Sequence, residues 1–210
     1  MFSHALTTAV GPRELRRLAD AARFYEHHDF KYTHAPWLVQ QKVDHATKPP
    51  HVKPIHHHAS ALNHTFHFAA SGEQSFLQMQ YDSMRYFDKA IMGRWQTITP
   101  CFRDEAQLSP LRRLGFMKLE LIDFTTATKE NMESIARLAH QFFLSHISCR
   151  IEENDQKDEF GLDIVSDKHG IELGSYGVRK GLVGGYEMAW VYATGLAEPR
   201  LAVAMEREKE

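Results

Sequence analysis

Cysteine is scarce in this 210-residue chain, with only Cys101 and Cys149. Two cysteines make no disulfide framework, and a reducing cytoplasm is the default setting. A surplus of one charge sign is also missing. The formal net charge is −2, so no global basic field points to nucleic acid. No apolar run is long enough to span a bilayer, and no membrane partner is expected. The opening MFSHALTTAVGPRELRR lacks the basic start and apolar core of a signal peptide. There is no internal repeat and no low-complexity tail. What remains suits one domain over residues 1–210, long enough to bury a substantial core.

The most informative stretch runs from Thr97 to Phe124, TITPCFRDEAQLSPLRRLGFMKLELIDF. Two alternating runs flank a charged, proline-containing loop. This predicts a long hairpin with strands at about Trp95 to Phe102 and Phe116 to Phe124. In the second strand Met117, Leu119 and Leu121 fall on one face and read as core. Phe116, Lys118 and Glu120 fall on the other, an aromatic ring, an ammonium and a carboxylate in one row near Arg103 and Glu105. Such a row can hold a charged planar ligand or form a solvated sheet face laced with salt bridges.

Gly11-Pro12 and the spacing of Leu15, Leu18, Ala22 and Tyr25 predict a helix over about Arg13 to His28, followed by extended FKYTHAPWL. Residues Val39 to Phe68 are rich in proline, lysine and histidine. Pro49, Pro50 and Pro54 deny a helix there and favour a long loop with a short strand near its end. His56, His57, His58, His64 and His67 invite a metal hypothesis, but no cysteine or clear carboxylate completes a tetrahedral set. A helix begins at Glu73 with Phe76, Met79 or Gln80, Ser83 or Met84, and Phe87 inward. Thr128 can cap a further helix to about Ile147, with Met132, Ile135, Ala139, Phe142 and Phe143 as its apolar stripe. The acidic run Glu152 to Glu159 reads as a solvated loop. FGLDIVSDKHGIELGSYGVRKG reads as strand, turn and strand, its glycines allowing a bulge that turns Glu172 and Arg179, of opposite parity, to one pocket. A strand, a small-residue turn and a helix starting near Pro199 follow.

Several segments together resemble the catalytic core of class II aminoacyl-tRNA synthetases. Phe102-Arg103-Asp104-Glu105 looks like the FRxE core of motif 2. CFRDE with GFMKLELID is similar to aspartyl-tRNA synthetases, and Leu108-Ser109-Pro110-Leu111 resembles the same loop of asparagine synthetase A. The first helix, strand and proline resemble motif 1, which implies a homodimer. Gln74-Ser75 resembles the pair that opens the amino-acid-contacting helix, although the family's downstream lysine is absent. Glu172, Gly174, Ser175, Gly177 and Arg179 fall in the order of the GxE…R segment. Arg200 takes the place of the motif 3 arginine, with Ala197 where the family has glycine. The likeness spans about Arg13 to Ala204 and implies an α+β fold, an antiparallel sheet of six or so strands flanked by helices. No anticodon-binding barrel is expected within residues 1–210.

The resemblance implies a site for ATP, Mg2+ and an amino acid. Arg103 and Arg200 would be its catalytic pair. Arg103 would bind the α-phosphate, Glu105 the adenine amino group, and Phe116 would stack beneath adenine with Arg200 above it and on the γ-phosphate. Glu172 with Asp163 would hold magnesium. Arg179 would pair with a side-chain carboxylate and so select aspartate, while Gln74, Lys118 and Ser175 would complete the amino-acid pocket. The residue types suit the reaction, which joins two anions and needs charge neutralisation more than proton transfer. The implied activity is an ATP-dependent ligase that forms an aspartyl adenylate and passes it to a small amine such as ammonia. Two alternatives stay open: transfer to a tRNA, a modified nucleic acid or a carrier protein, and a non-catalytic regulatory paralogue.

Overall fold

The computed structural model describes residues 10–47, 56–59, 64–105, 107–154 and 160–210. Leading the chain are helix α1 (Pro12–Glu26), strands β1 (Lys31–Tyr32) and β2 (Leu38–Gln40), the single turn α2 (Gln41–Asp44), and strands β3 (His56–Ala59) and β4 (His64–Phe68). Helix α3 (Gly72–Phe87), strands β5 (Arg94–Phe102) and β6 (Gly115–Asp123), and helix α4 (Lys129–Leu144) come next. Strands β7 (Cys149–Glu153), β8 (Gly161–Ser166), β9 (Glu172–Val183) and β10 (Tyr186–Glu198) and helix α5 (Arg200–Arg207) complete the order.

A seven-stranded sheet in the order β1-β5-β6-β10-β9-β8-β7 organises the molecule. Its neighbours run antiparallel except at one edge, where β1 lies parallel to β5. The fold is thus α+β, with one parallel pairing that departs from the all-antiparallel expectation. β1 comes back from α1 to the sheet edge, so the connection sets its direction. The hairpin predicted around Arg103 forms as β5 and β6, with Lys118 opposite Thr99 and Phe116 opposite Cys101. β9 and β10 join through Gly184 and Gly185, both at positive φ (59° and 99°), the backbone that a tight hairpin turn requires.

Strand parity divides the side chains between two layers. Leu119 and Leu121 of β6 pack with Leu18, Ala21 and Tyr25 of α1 and with Met132, Ile135 and Phe143 of α4. On the other sheet face, Ile122, Trp190 and Tyr192 pack with Phe76, Leu77 and Tyr81 of α3. Burying each of the leucine, isoleucine, methionine and phenylalanine side chains contributes about 1.5–3 kcal/mol. The N-terminal half of α3 is buried almost all round, whereas Phe87 in its last turn is 77 % exposed. The inward stripe expected there does not reach Phe87, which lies outside the core cluster that holds Phe76, Leu77 and Tyr81.

The stretch read as a long loop holds more structure than expected. β2, β4 and β3 form a second, three-stranded sheet, with His56 opposite His67 in its ladder. The side chains of His56, His57, His58 and His64 lie outside the described residues. Among the described residues no group of three or more histidine, cysteine or acidic side chains is placed to hold a metal ion. In the acidic run, Glu152 and Glu153 belong to β7 and are exposed, while residues 155–159 lie outside the described part. No described helix is long and apolar enough to cross a membrane.

At the β6–α4 junction Thr128 caps α4 by accepting from the Asn131 amide at 3.3 Å. Asp123, fully buried, accepts from Arg94 Nε at 2.8 Å, Asn131 Nδ2 at 3.0 Å and the Thr125 amide at 2.7 Å. Burial alone would raise its pKa, but the Thr125 hydroxyl, which also donates to Asp123, together with Asn131, Arg94 and the Thr125 amide outweighs that effect and holds the carboxyl below its usual value of 3.8. Its stabilisation is present above the unfolded pKa and is lost as pH falls through the lower folded one. Asp123→Asn is therefore expected to cost about 1–3 kcal/mol near neutrality. Urea midpoints of the variant and the parent should converge as pH is lowered to about 2. A gap that persists unchanged in acid would show that Asp123 does not act through its charge.

Candidate functional site

A cavity of about 320 Å3 lies over β6, β10 and β9, on the sheet face away from α1 and α4, with the first turn of α3 as one wall. Two irregularities in the strands aim side chains into it. In β9 the ladder passes from Ile164↔Gly174 to Val165↔Glu172, leaving Leu173 as the extra residue. The bulge reverses parity, so Glu172, Ser175 and Arg179 all line the cavity. In β10 the register shifts between Thr194 and Leu196, with Gly195 as the extra residue. A Cβ at Gly195 would run into Leu119 and stand 2.9 Å from the Tyr25 ring. The Tyr25 hydroxyl donates to the Gly195 carbonyl at 2.9 Å. This bulge lets Thr194 and Ala197, again of opposite parity, share the cavity wall.

Among the described residues, four cations and three carboxylates face this space. Arg200 Nη1 lies 2.8 Å from Glu172 Oε1 and donates to the Glu172 carbonyl at 3.2 Å. Arg179 Nη1 donates to Glu73 Oε2 at 2.5 Å, and its guanidinium lies 4.2 Å from the Tyr192 ring centroid. Trp190 Nε1 donates to the other Glu73 oxygen at 2.7 Å. Lys118 Nζ donates to Glu120 at 2.9 Å. Glu120 is 1 % exposed, and burial pushes its carboxyl up against the opposing pull of Lys118.

Arg103 differs from the other three. Its Nε donates to the Ala70 carbonyl at 3.0 Å, and its guanidinium carbon lies 5.2 Å from the Phe116 ring centroid. Among the described residues it has no ion-pair partner. The described lining therefore carries one positive charge in excess, located at Arg103. Below it Cys101 is fully buried, its thiol pushed up to about 12 by burial and then by Glu120. That thiol is inert as a nucleophile at neutral pH. The arrangement suits binding and orienting a polyanion beside a planar ring.

Of the residues singled out in the sequence, Arg103, Arg200, Phe116, Glu172, Gln74, Lys118, Ser175 and Arg179 all line this cavity. Glu105 and Asp163 do not. Glu105 follows β5, and its amide donates to the Arg103 carbonyl at 3.1 Å. Asp163 stands one strand farther out, opposite Ser175 in the ladder, and accepts from Asn154 Nδ2 at 2.5 Å. The Gln74 amide faces inward: its oxygen accepts from the Ala70 amide at 2.7 Å and its nitrogen donates to Asp44 at 2.8 Å. Glu73 and Trp190 had no assigned role from sequence. The one available signal for Glu73 was its place in the first turn of a helix beginning at the cavity.

Neither a protein-family profile nor a curated protein sequence matches the chain. Solved structures do. A pyrrolysyl-tRNA synthetase from Desulfitobacterium hafniense superposes with a TM-score of 0.63 at 18% identity, over 93% of this chain and 69% of that one. The seryl-tRNA synthetase from Pyrococcus horikoshii complexed with ATP gives a TM-score of 0.68 at 16% identity, over 90% of this chain and 49% of that one. The S. aureus histidyl-tRNA synthetase gives 0.71 at 10% identity, over 100% of this chain and 71% of that one. This chain thus spans about half of the seryl enzyme. These structures are pyrrolysyl, seryl and histidyl enzymes, so the aspartyl and asparagine synthetase likeness rests on the sequence motifs alone. The chain has the fold of a class II aminoacyl-tRNA synthetase catalytic core.

Proposed function

We propose that the cavity binds ATP and an amino acid and joins them as an aminoacyl adenylate, with release of pyrophosphate. The observation that carries this reading is Arg103, a guanidinium without an ion-pair partner among the described residues, held by a carbonyl over an aromatic ring inside a cavity of paired charges. An oxygen of the amino-acid carboxylate attacks the α-phosphorus, and the bond from that phosphorus to the bridging oxygen of pyrophosphate breaks. Pyrophosphate leaves with the electron pair. Arg103 stabilises the charge that gathers on the α-phosphate, Phe116 stacks on adenine, Arg200 balances the γ-phosphate, and Lys118 and Ser175 border the amino acid.

Arg200 is paired with Glu172, but both side chains are partly open to solvent, at 29% and 40%. An ion pair so exposed contributes little, about 0–1 kcal/mol, so a triphosphate can take over the guanidinium. Glu172 then becomes the cavity carboxylate that fits Mg2+, which needs only one or two protein carboxylates besides phosphate oxygens. Magnesium would supply charge neutralisation between those oxygens. Asp163 lies outside the cavity wall and is left out of this role.

For the amino acid we favour aspartate, its side-chain carboxylate meeting Arg179, with ammonia as the simplest acceptor. Glu73 supports a second reading. It already gives Arg179 a carboxylate, and a donor and acceptor side by side suit a neutral polar side chain. Association through α1 and the β1 edge, where Leu15, Tyr32 and Trp37 are 51%, 38% and 57% exposed, is part of the same proposal. So is a reducing cytosolic setting for the two buried thiols.

ATP–pyrophosphate exchange with a panel of amino acids tests the reaction. Arg103→Ala is expected to lower the exchange rate by about 10²–10³. Well-folded protein that exchanges with no amino acid would refute the proposal. Glu73→Gln separates the two substrate readings. If aspartate is the substrate, releasing Arg179 should lower its KM; if the side chain is neutral and polar, the same change should raise KM.

A further inference from the structure

We propose that Asp44, anchored by His67, is a positioning residue for Arg103, acting through the Gln74 amide and the backbone of Ala70. His67 donates from Nδ1 to Asp44 Oδ2 at 2.8 Å, and both residues are 1% exposed. Gln74 Nε2 donates to Asp44 Oδ1 at 2.8 Å. Gln74 Oε1 accepts from the Ala70 amide at 2.7 Å. The Ala70 carbonyl accepts from Arg103 Nε at 3.0 Å. Each hydrogen bond in this series shares a residue with the next, and the series ends at the cation on which the proposed chemistry rests.

The direction of control follows from donor and acceptor chemistry. A carboxylate only accepts, so Asp44 fixes which end of the Gln74 amide faces it. Were that amide reversed, its oxygen would oppose a carboxylate oxygen and its NH2 would oppose the Ala70 N–H. Both contacts would be repulsive in a buried place where unmet polar groups are costly. Asp44 therefore sets Gln74, and Gln74 sets Ala70. The neighbouring backbone adds rigidity, since the Ala69 amide donates to the Trp37 carbonyl and the Phe102 amide donates to the Ala69 carbonyl, each at 2.9 Å. Residues 69–70 are thereby fastened between the small histidine-containing sheet and the end of β5. On this inference Gln74 is not a substrate ligand, although it borders the cavity, because both ends of its amide are already engaged. The small sheet gains a role as well: its strand β4 carries the histidine that holds the first member of the series.

The inference deepens the adenylate-forming reading and rests on it for its functional consequence, but its geometry can be tested without any ligand. The readout is hydrogen exchange of the Arg103 Nε–H, followed by NMR on protein with 15N-labelled arginine and assigned by its loss in Arg103→Lys. In Asp44→Ala this exchange should speed up about tenfold, the factor expected when a hydrogen bond of ordinary strength is lost. The Arg94 Nε–H, which is held by Asp123 at 2.8 Å, should not change. Asp44→Asn can still accept from Gln74 and can donate to the other tautomer of His67, so it should restore near-parental exchange. Should Asp44→Ala fail to fold, Gln74→Met breaks the series one step nearer Arg103 and should give the same acceleration. Unchanged Arg103 exchange in whichever of these two variants folds would overturn the proposal. In ATP–pyrophosphate exchange, Asp44→Ala should lower kcat about tenfold while leaving KM for the amino acid nearly unchanged. If the parent protein shows no such exchange, the catalytic reading falls, and the NMR result alone decides the positioning role.

Discussion

The matching of charge inside the cavity is the constraint on which the remaining features depend. Glu73, Glu120 and Glu172 each hold one cation, at 2.5, 2.9 and 2.8 Å. Placing so many ionised groups in one partly closed space would be unfavourable if they were left unpaired. Among the described residues, pairing leaves the space nearly neutral, with its residual charge at one guanidinium that is held by a carbonyl dipole. A charged ligand meets a defined point of attraction there, not a diffuse field, in keeping with a chain whose overall charge is close to zero. The three pairs also differ in depth. Arg200–Glu172 lies toward solvent, whereas Glu73 is fixed from behind by Trp190. Exchange of partners is thus easier at one end of the cavity than at the other.

Two extra residues, Leu173 and Gly195, create the geometry that the charges need. An ideal strand sends neighbours of opposite parity to opposite faces. Without the bulge in β9, Glu172 and Arg179 could not face the same space. Without that in β10, Thr194 and Ala197 could not. Both bulges are built where the backbone tolerates them: one is next to Gly174, the other is Gly195 itself, packed beneath Tyr25 and Leu119.

Strong periodicity made much of this visible beforehand. The alternation of Met117, Leu119 and Leu121 against Phe116, Lys118 and Glu120 appears as two faces of β6, and the stripe behind Thr128 is the buried side of α4. Glycines around Glu172 pointed to a bulge. The small sheet was hidden because its strands are three to five residues long and lie in a stretch rich in histidine and proline that shows no sustained alternation. A two-residue strand such as β1 is below what any pattern can register. Glu73 and Arg179 meet only in three dimensions, and no local rule joins them. Asp163 shows the converse: its order along the chain suggested a place in the site, while the ladder sets it one strand away.

The order of strands in the large sheet has a mechanical consequence. β5 and β6 form one local hairpin, and β7 to β10 form one continuous meander. These two pieces meet at a single join, where β6 runs beside β10 and Lys118 faces Ala197. The cavity straddles that join, drawing Arg103 and Phe116 from the side of the hairpin and Arg179, with Arg200 of α5, from the side of the meander. Parting the join would dismantle the pocket while each hairpin stayed intact. A molecule seated across it would act as a clasp, adding its own binding energy to that long-range contact.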